Sequence, residues 1–493
     1  MISGKGWKMA QPFRVLMVSA EAEPYVKVGG LGDVAGSLPK ALLKLPKDVL
    51  EGNSLDVRLV LPFHPVIARE VAAQEPLVVV QVPKREGTVE ARIYLSEIAG
   101  YPVYLIDGEP ISRASTVYSL DSAQDADKYI FFSLAVLEMI QALGWKPHVL
   151  HAHDWHTAIA VYELARRRDQ DDFYRGIKSL FTIHNLPYMG AGAEKVLPEY
   201  AIPPSEDIRL PWWGKSLPLP MALSTADFLS TVSPTYSREM LTSEFGCGLE
   251  DFLRSRSSTL FGILNGLDTQ IWNPQEDSFI LRKFSAENPR DRLPNKQALL
   301  DQLGLVPEEE APLLGLIGRF DRQKGIDLAI GALRMMAEQP WQAVLLGSGD
   351  PVLEESARNL EREFPERVRV VIKFDLRLSH QIYAGADMLL MPSRYEPCGL
   401  AQLIAMRYGC IPVARATGGL RDTISDLPDP SMSTGFLFNE ATPEALAEAL
   451  RRAIVAYEDS TGWEMRQRNA MQQDFSWSRS AQEYYRLYRL LWL

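Results

Sequence analysis

The sequence predicts an α/β protein built on parallel sheets, and three observations predict it. Short β-rich runs alternate with longer helical patterns from one end of the chain to the other. Several of those runs are apolar on consecutive positions, as strands buried on both faces must be. The series also divides in two around Leu264-Asn-Gly-Leu-Asp-Thr-Gln-Ile-Trp-Asn-Pro274, a segment rich in turn residues. With 493 residues the chain is too long for one core, so more than one domain is expected.

In order, the first series of predicted strands is Phe13–Ala20, Asp56–Phe63, Val103–Asp107, Val149–His153, Ser179–His184 and Phe228–Ser233. The second is Leu313–Arg319, Ala343–Gly347, Val368–Phe374, Met388–Pro392 and Ile411–Ala414. The polar stretch Asp277 to Arg292 follows the turn-rich segment. The organisation read from this is a loose leader over 1–12, a first Rossmann-like domain over 13–262 and a hinge over 263–275. A second Rossmann-like domain spans 276–474, with a terminal helix over 475–493. Two such halves facing each other put a ligand crevice at the carboxyl ends of both sheets. The terminal helix carries Tyr484, Tyr485, Leu487, Tyr488, Leu490 and Leu491 at helical spacing, a stripe made for packing.

Composition narrows the function. Hydrophobic residues at 46% and charged residues at 23% supply an ample core for a soluble chain. A net charge of −11 argues against nucleic acid as a partner, so any phosphate must be held by a few local cations and helix starts. Cys247, Cys398 and Cys410 make neither a disulfide framework nor a metal site and point to a reducing, cytoplasmic setting. His151, His153 and His156 are spaced as for a strand end and turn, which disfavours zinc. Arg14 to Ala20 is too short for a signal peptide, and no apolar run reaches a membrane span.

Five strand ends hold residues suited to chemistry. Met391-Pro-Ser-Arg-Tyr-Glu-Pro-Cys-Gly-Leu400 joins an apolar strand to a helix expected over Ala401–Gly409. It sets the carboxylate of Glu396 beside the free N–H groups of Cys398, Gly399 and Leu400, a pairing suited to sugar hydroxyls and phosphate. An ordinary turn with an exposed Glu reads equally well on that segment alone. Lys27-Val-Gly-Gly-Leu-Gly-Asp33 follows the first strand, and Gly29 and Gly30 permit close backbone approach at the start of a helix expected over Val34–Leu43. Asp154, in His153-Asp-Trp155, is suited to bind sugar hydroxyls, to cap the helix expected near Thr157, or to do both. His184 and Asn185 end another strand, where the ring or the backbone carbonyl of His184 can face a ligand. Arg319 and Lys324 share one short loop. At roughly 4 Å from a diphosphate each would contribute about 4 kcal/mol at an effective dielectric near 20. That attraction grows as a leaving nucleotide gains charge. Gly347-Ser-Gly-Asp350 and Thr417-Gly-Gly-Leu420 are two further glycine-rich strand ends.

Together these motifs resemble the bacterial glycogen synthase and plant starch synthase family, over roughly residues 13 to 491. The family's Lys-Thr-Gly-Gly-Leu corresponds to Lys27–Leu31, and its His-Asp-Trp to His153–Trp155. Its Thr-Ile-His-Asn-Leu matches Thr182–Leu186, its Arg-x-x-x-x-Lys-Gly matches Arg319–Gly325, and Glu-Pro-Cys-Gly-Leu is intact at 396–400. The resemblance implies a GT-B fold, with the terminal helix crossing back to the first domain. It also implies transfer of glucose from ADP-glucose to the non-reducing 4-hydroxyl of an α-1,4-glucan, with retention and without a metal or other cofactor.

By the same resemblance Arg319 and Lys324 neutralise the diphosphate, and Lys27, Gly29 and Gly30 support the donor. Glu396 holds hydroxyls of the donor glucose. His184 contacts that sugar and offers its carbonyl to the oxocarbenium-like centre. Asp33 and Asp154 line the sugar and acceptor side, and Phe374 stacks on adenine unless it is a strand-end core residue. Val28 stands where the family has Thr, and Ala401 where many relatives have Thr. Rival readings are a sucrose- or trehalose-phosphate-synthase type transferase and a non-catalytic glucan-binding paralogue.

Overall fold

The computed structural model describes residues 11–308 and 311–492. The expected leader, up to residue 10, lies outside that range. The chain forms two compact units: one runs to Gly266 and takes back the segment from Trp477, and the other is Leu267–Ser476.

In the first unit the strands are β1 (Phe13–Val18), β2 (Leu55–Pro62), β3 (Val78–Pro83), β4 (Thr88–Ser96) and β5 (Val103–Asp107), followed by β6 (Val149–His153), β7 (Lys178–Ile183), β8 (Phe228–Thr231) and β9 (Leu260–Gly262). Their order across the sheet is β3-β4-β5-β2-β1-β6-β7-β8-β9. From β5 to β9 every pairing is parallel, as expected, but β4 runs antiparallel to both β3 and β5. The sequence reading missed that hairpin. Its strands alternate buried and exposed residues at a sheet edge, a weaker apolar signal than that of a strand buried on both faces.

The second unit holds β10 (Leu313–Ile317), β11 (Gln342–Gly347), β12 (Val368–Ile372), β13 (Met388–Met391), β14 (Ile411–Arg415) and β15 (Phe436–Phe438). They are ordered β12-β11-β10-β13-β14-β15 and all parallel. Both units are therefore doubly wound. The chain moves outward in one direction from β1 or β10, then jumps back to β6 or β13 on the other side. Folds wound in this way carry their ligand-binding loops at the carboxyl ends of those two central strands.

Helices cover both faces. One face of the first sheet packs on Ser122–Ala142, which is buried over most of its length. The other packs on Gly30–Leu43 and the C-terminal helix Trp477–Trp492. The helix after β1 begins at Gly30, not at Val34 as expected, so Asp33 lies in its first turn. The C-terminal helix buries Tyr484, Tyr485, Leu487, Tyr488 and Leu491 but leaves Leu490 exposed. Ser480 Oγ donates to the Leu264 carbonyl at 2.6 Å and Tyr485 to that of Leu50 at 3.1 Å, anchoring the helix on the first unit.

The second core contains a buried ionic cluster at Asp387. Asp387, at the foot of β13, accepts from the Leu313 N–H at 2.8 Å and lies 2.7 Å from Lys296 Nζ and 3.7 Å from Arg292. Removing one member of such a cluster leaves buried charge unpaired. Asp387→Asn is expected to cost about 3–5 kcal/mol, read from the urea midpoint of the second unit's transition. A loss under about 1 kcal/mol would show the two cations to be adequately solvated without it.

Candidate active site

In the second unit the sites foreseen in the sequence meet at the switch between β10 and β13. The loop after β10 ends at Gly325, whose φ is +68° and whose added Cβ would lie 2.1 Å from the Pro392 carbonyl oxygen. Only glycine lets this loop lie on the loop after β13. The contact is stitched by the Arg394 N–H donating to Gln323 O at 2.8 Å. Lys324 Nζ reaches Glu396 Oε2 at 2.6 Å, and Ser393 Oγ donates to the same oxygen at 2.8 Å. Glu396 is buried, so it is a held carboxylate and not the exposed Glu of an ordinary turn.

A third loop passes beneath it. Gly418, at φ +46°, would drive a Cβ to 1.9 Å from Glu396 O, and the Gly419 N–H donates to that carbonyl at 3.1 Å. Arg319 is mostly exposed, 3.2 Å from Asp321, and its Nη2 donates to Gln323 at 3.2 Å. Cys398, Gly399 and Leu400 form the turn into helix Ala401–Arg407, with Gln402 donating to the Cys398 and Gly399 carbonyls at 3.0 Å. Phe374 follows β12 and is 88% exposed, which removes the core alternative. Sequence reasoning missed Ser393 and Gln323, which carry no motif signal of their own.

In the first unit the residues gather at the ends of β1, β6 and β7, across the corresponding switch. Asp154 has φ +56° and ψ 178°, a costly conformation for a residue with a Cβ. The bend turns its carboxylate onto the next loop: the His184 N–H donates to Oδ1 at 2.7 Å and the Asn185 N–H at 3.4 Å. It makes no cap to the following helix, so the capping alternative falls. The His184 ring turns inward, with Nε2 3.0 Å from His153 Nδ1, and burial pushes its pKa down to about 3.

The glycine loop differs from expectation. Lys27 Nζ is 2.6 Å from Asp33, so these two foreseen residues pair with each other. The N–H groups of Val28 and Gly29 turn to the carboxylate of Glu21, the latter at 3.1 Å, and the Tyr118 hydroxyl donates to it at 3.0 Å. Burial raises the Glu21 pKa despite those donors. Glu21 went unnoticed in the sequence, although a carboxylate just past an apolar strand is the signal that exposed Glu396. The three clustered histidines form no common ligand set: His151 meets Tyr488, Thr182 and the ring of His153, His153 also meets His184, and His156 packs at a tilt against Trp155. Among the described residues no group of His, Cys, Asp or Glu is arranged to hold a metal, and no helix is long and apolar enough to cross a membrane.

Asp154 gives this site a pH signature. Burial pushes its carboxyl up to about 7 against the pull of the two N–H donors. The folded chain then binds the proton more tightly than the unfolded chain does. The resulting stability is whole below the ordinary value of 3.8 and is lost as pH rises through about 7. Between about pH 5 and about pH 8 the wild type should lose more unfolding free energy than Asp154→Asn, which keeps an oxygen acceptor. Urea midpoints that fall in parallel for the two proteins would refute the assignment.

Known proteins share this architecture. The starch synthase catalytic domain family matches residues 14–255, and the glycosyl transferases group 1 family matches 304–470. A glycogen synthase of Geotalea daltonii is 40% identical over 97% of this chain and 99% of its own length. One from Bacillus cereus is 36% identical over 97% and 99%. The catalytic domain of starch synthase IV from Arabidopsis thaliana, solved with ADP and acarbose, superposes with a TM-score of 0.86 at 34% identity, over 98% of this chain and all of that one. A sucrose-phosphate synthase from Thermosynechococcus elongatus shares the fold alone, with a TM-score of 0.60 at 20% identity over 97% and 98%. With the doubly wound sheets, the intact motifs and this likeness over nearly its full length, the chain belongs to the glycogen and starch synthase family of glycosyltransferases.

Proposed function

We propose that the protein is a glycogen synthase that moves glucose from ADP-glucose to the non-reducing 4-hydroxyl of an α-1,4-glucan, with retention of configuration. The observation that carries the reading is the pairing of Lys324 with Glu396 at the β10–β13 switch, with Arg319 on the same loop. When a nucleotide sugar enters, Lys324 and Arg319 face the diphosphate, and their attraction grows as the leaving ADP gains charge. The N–H groups around Cys398, Gly399 and Leu400 add to it. Glu396, fixed by Ser393, accepts from hydroxyls of the donor glucose and takes no proton.

In the first unit His184 contacts the sugar and its carbonyl faces the cationic centre. Asp154 and Asp33 serve the sugar and acceptor side, and Lys27 with Gly29, Gly30 and Asn185 supports the donor. That last role requires the Gly29 N–H to leave Glu21. The leaving phosphate accepts the acceptor's proton, so no side-chain base and no metal is needed. ADP in the crystallised starch synthase supports the choice of nucleotide, and acarbose the choice of glucan. The three free cysteines suit the cytoplasm.

Radiolabel transfer to glycogen from ADP-glucose and from UDP-glucose tests the reading. Incorporation should favour ADP-glucose, and none from either donor would sink it. Lys324→Ala should lower turnover by about 10²–10³, the usual worth of one transition-state charge contact. A loss under about threefold would place Lys324 away from the phosphates. Phe374→Ala should raise the KM for ADP-glucose about tenfold with little change in kcat, as loss of a stacked base predicts. An unchanged KM would remove Phe374 from the adenine.

A further inference from the structure

We infer that His153 is the positioning residue for His184: by donating from Nδ1 it fixes His184 as the tautomer that keeps its proton on Nδ1 and presents that N–H as a donor. This rests on the reading of His184 as a sugar contact. The two rings come from neighbouring strand ends, with His153 closing β6 and His184 just past β7, and register sets His153 opposite Thr182. Their nitrogens lie 3.0 Å apart, so one of them donates to the other.

Which one donates follows from what each choice leaves behind. Burial holds both rings neutral, His153 well below the ordinary histidine value and His184 at about 3, so each carries one N–H. His153 is fully buried and its Nε2 has no partner. Were His184 the donor, the His153 proton would sit on that Nε2 as a buried N–H with no acceptor, the costlier kind of orphan. With His153 donating, only a bare lone pair is left there.

His184 is then held at two points by adjacent residues at the end of β6, its ring by His153 and its backbone N–H by Asp154 just past the strand. His153 is itself wedged against His151, with ring centroids 4.2 Å apart. His151 is pinned by Tyr488 of the C-terminal helix at 2.8 Å and by Thr182 at 2.6 Å. The outcome for the ligand is specific: the ring of His184 offers a hydrogen to a hydroxyl oxygen and does not accept one.

The test pairs spectroscopy with kinetics on the full chain. In protein labelled with 15N-histidine, the His184 nitrogens should read as protonated Nδ1 and bare Nε2. The reverse pattern overturns the proposal, whether or not any variant folds. His153→Phe keeps the ring volume but loses the donor. It should lower kcat about tenfold, the usual worth of one orienting hydrogen bond, and shift His184 toward the Nε2–H form. His153→Asn, whose amide nitrogen falls near the position of Nδ1, should restore both, and His153→Gln should not. Wild-type kcat and KM in His153→Phe, alongside a crippled His184→Ala, would overturn the positioning role alone. Full activity in His184→Ala would overturn the sugar-contact reading on which it rests.

Discussion

The structure depends on one topological constraint, the reversal of winding direction in each parallel sheet. β1 and β6 in the first unit, and β10 and β13 in the second, are the neighbours at which the strand order reverses. The loops leaving them carry polar groups at the carboxyl ends of the sheets, outside the apolar cores. The residues proposed for the reaction lie on these loops: Lys27 to Asp33 after β1, Asp154 after β6, Arg319 and Lys324 after β10, and Glu396 after β13. His184 and Asn185 follow β7, one strand further on.

Holding polar groups at such ends costs energy, and the structure meets the cost locally. Asp154 adopts a strained backbone so that its carboxylate can bind the N–H groups of the β7 loop. Gly325 and Gly418 take left-handed conformations where a Cβ would strike a carbonyl oxygen, which lets three loops stack around Glu396. Glu21 gathers the N–H groups of the glycine loop.

The C-terminal helix has a part in this arrangement as well as in the core. Its aromatic stripe reads as packing, and most of it is buried. Tyr488 does more, since its hydroxyl meets His151, the base of the imidazole column that ends at His184. A side chain that reads as hydrophobic by spacing is thus also a polar anchor, because its ring buries while its hydroxyl finds a partner.

The sequence by itself determined the α/β class, the strands buried on both faces, and the motifs that place Arg319, Lys324, Glu396, Asp154 and His184 at strand ends. These are local signals: apolar runs, glycines at turns, and charged residues just beyond them. The β3–β4 hairpin was not legible, because edge strands alternate and carry a weak apolar signal. Nor was the start of the first helix at Gly30, since two glycines read as loop. Only the tertiary structure decided that Lys324 meets Glu396, that Gly29 turns to Glu21, that Phe374 is exposed and that His153 faces His184. Lys324 with Glu396 and His153 with His184 join residues far apart in the chain, and the order and register of parallel strands, not spacing along the sequence, set which side chains stand within hydrogen-bond reach.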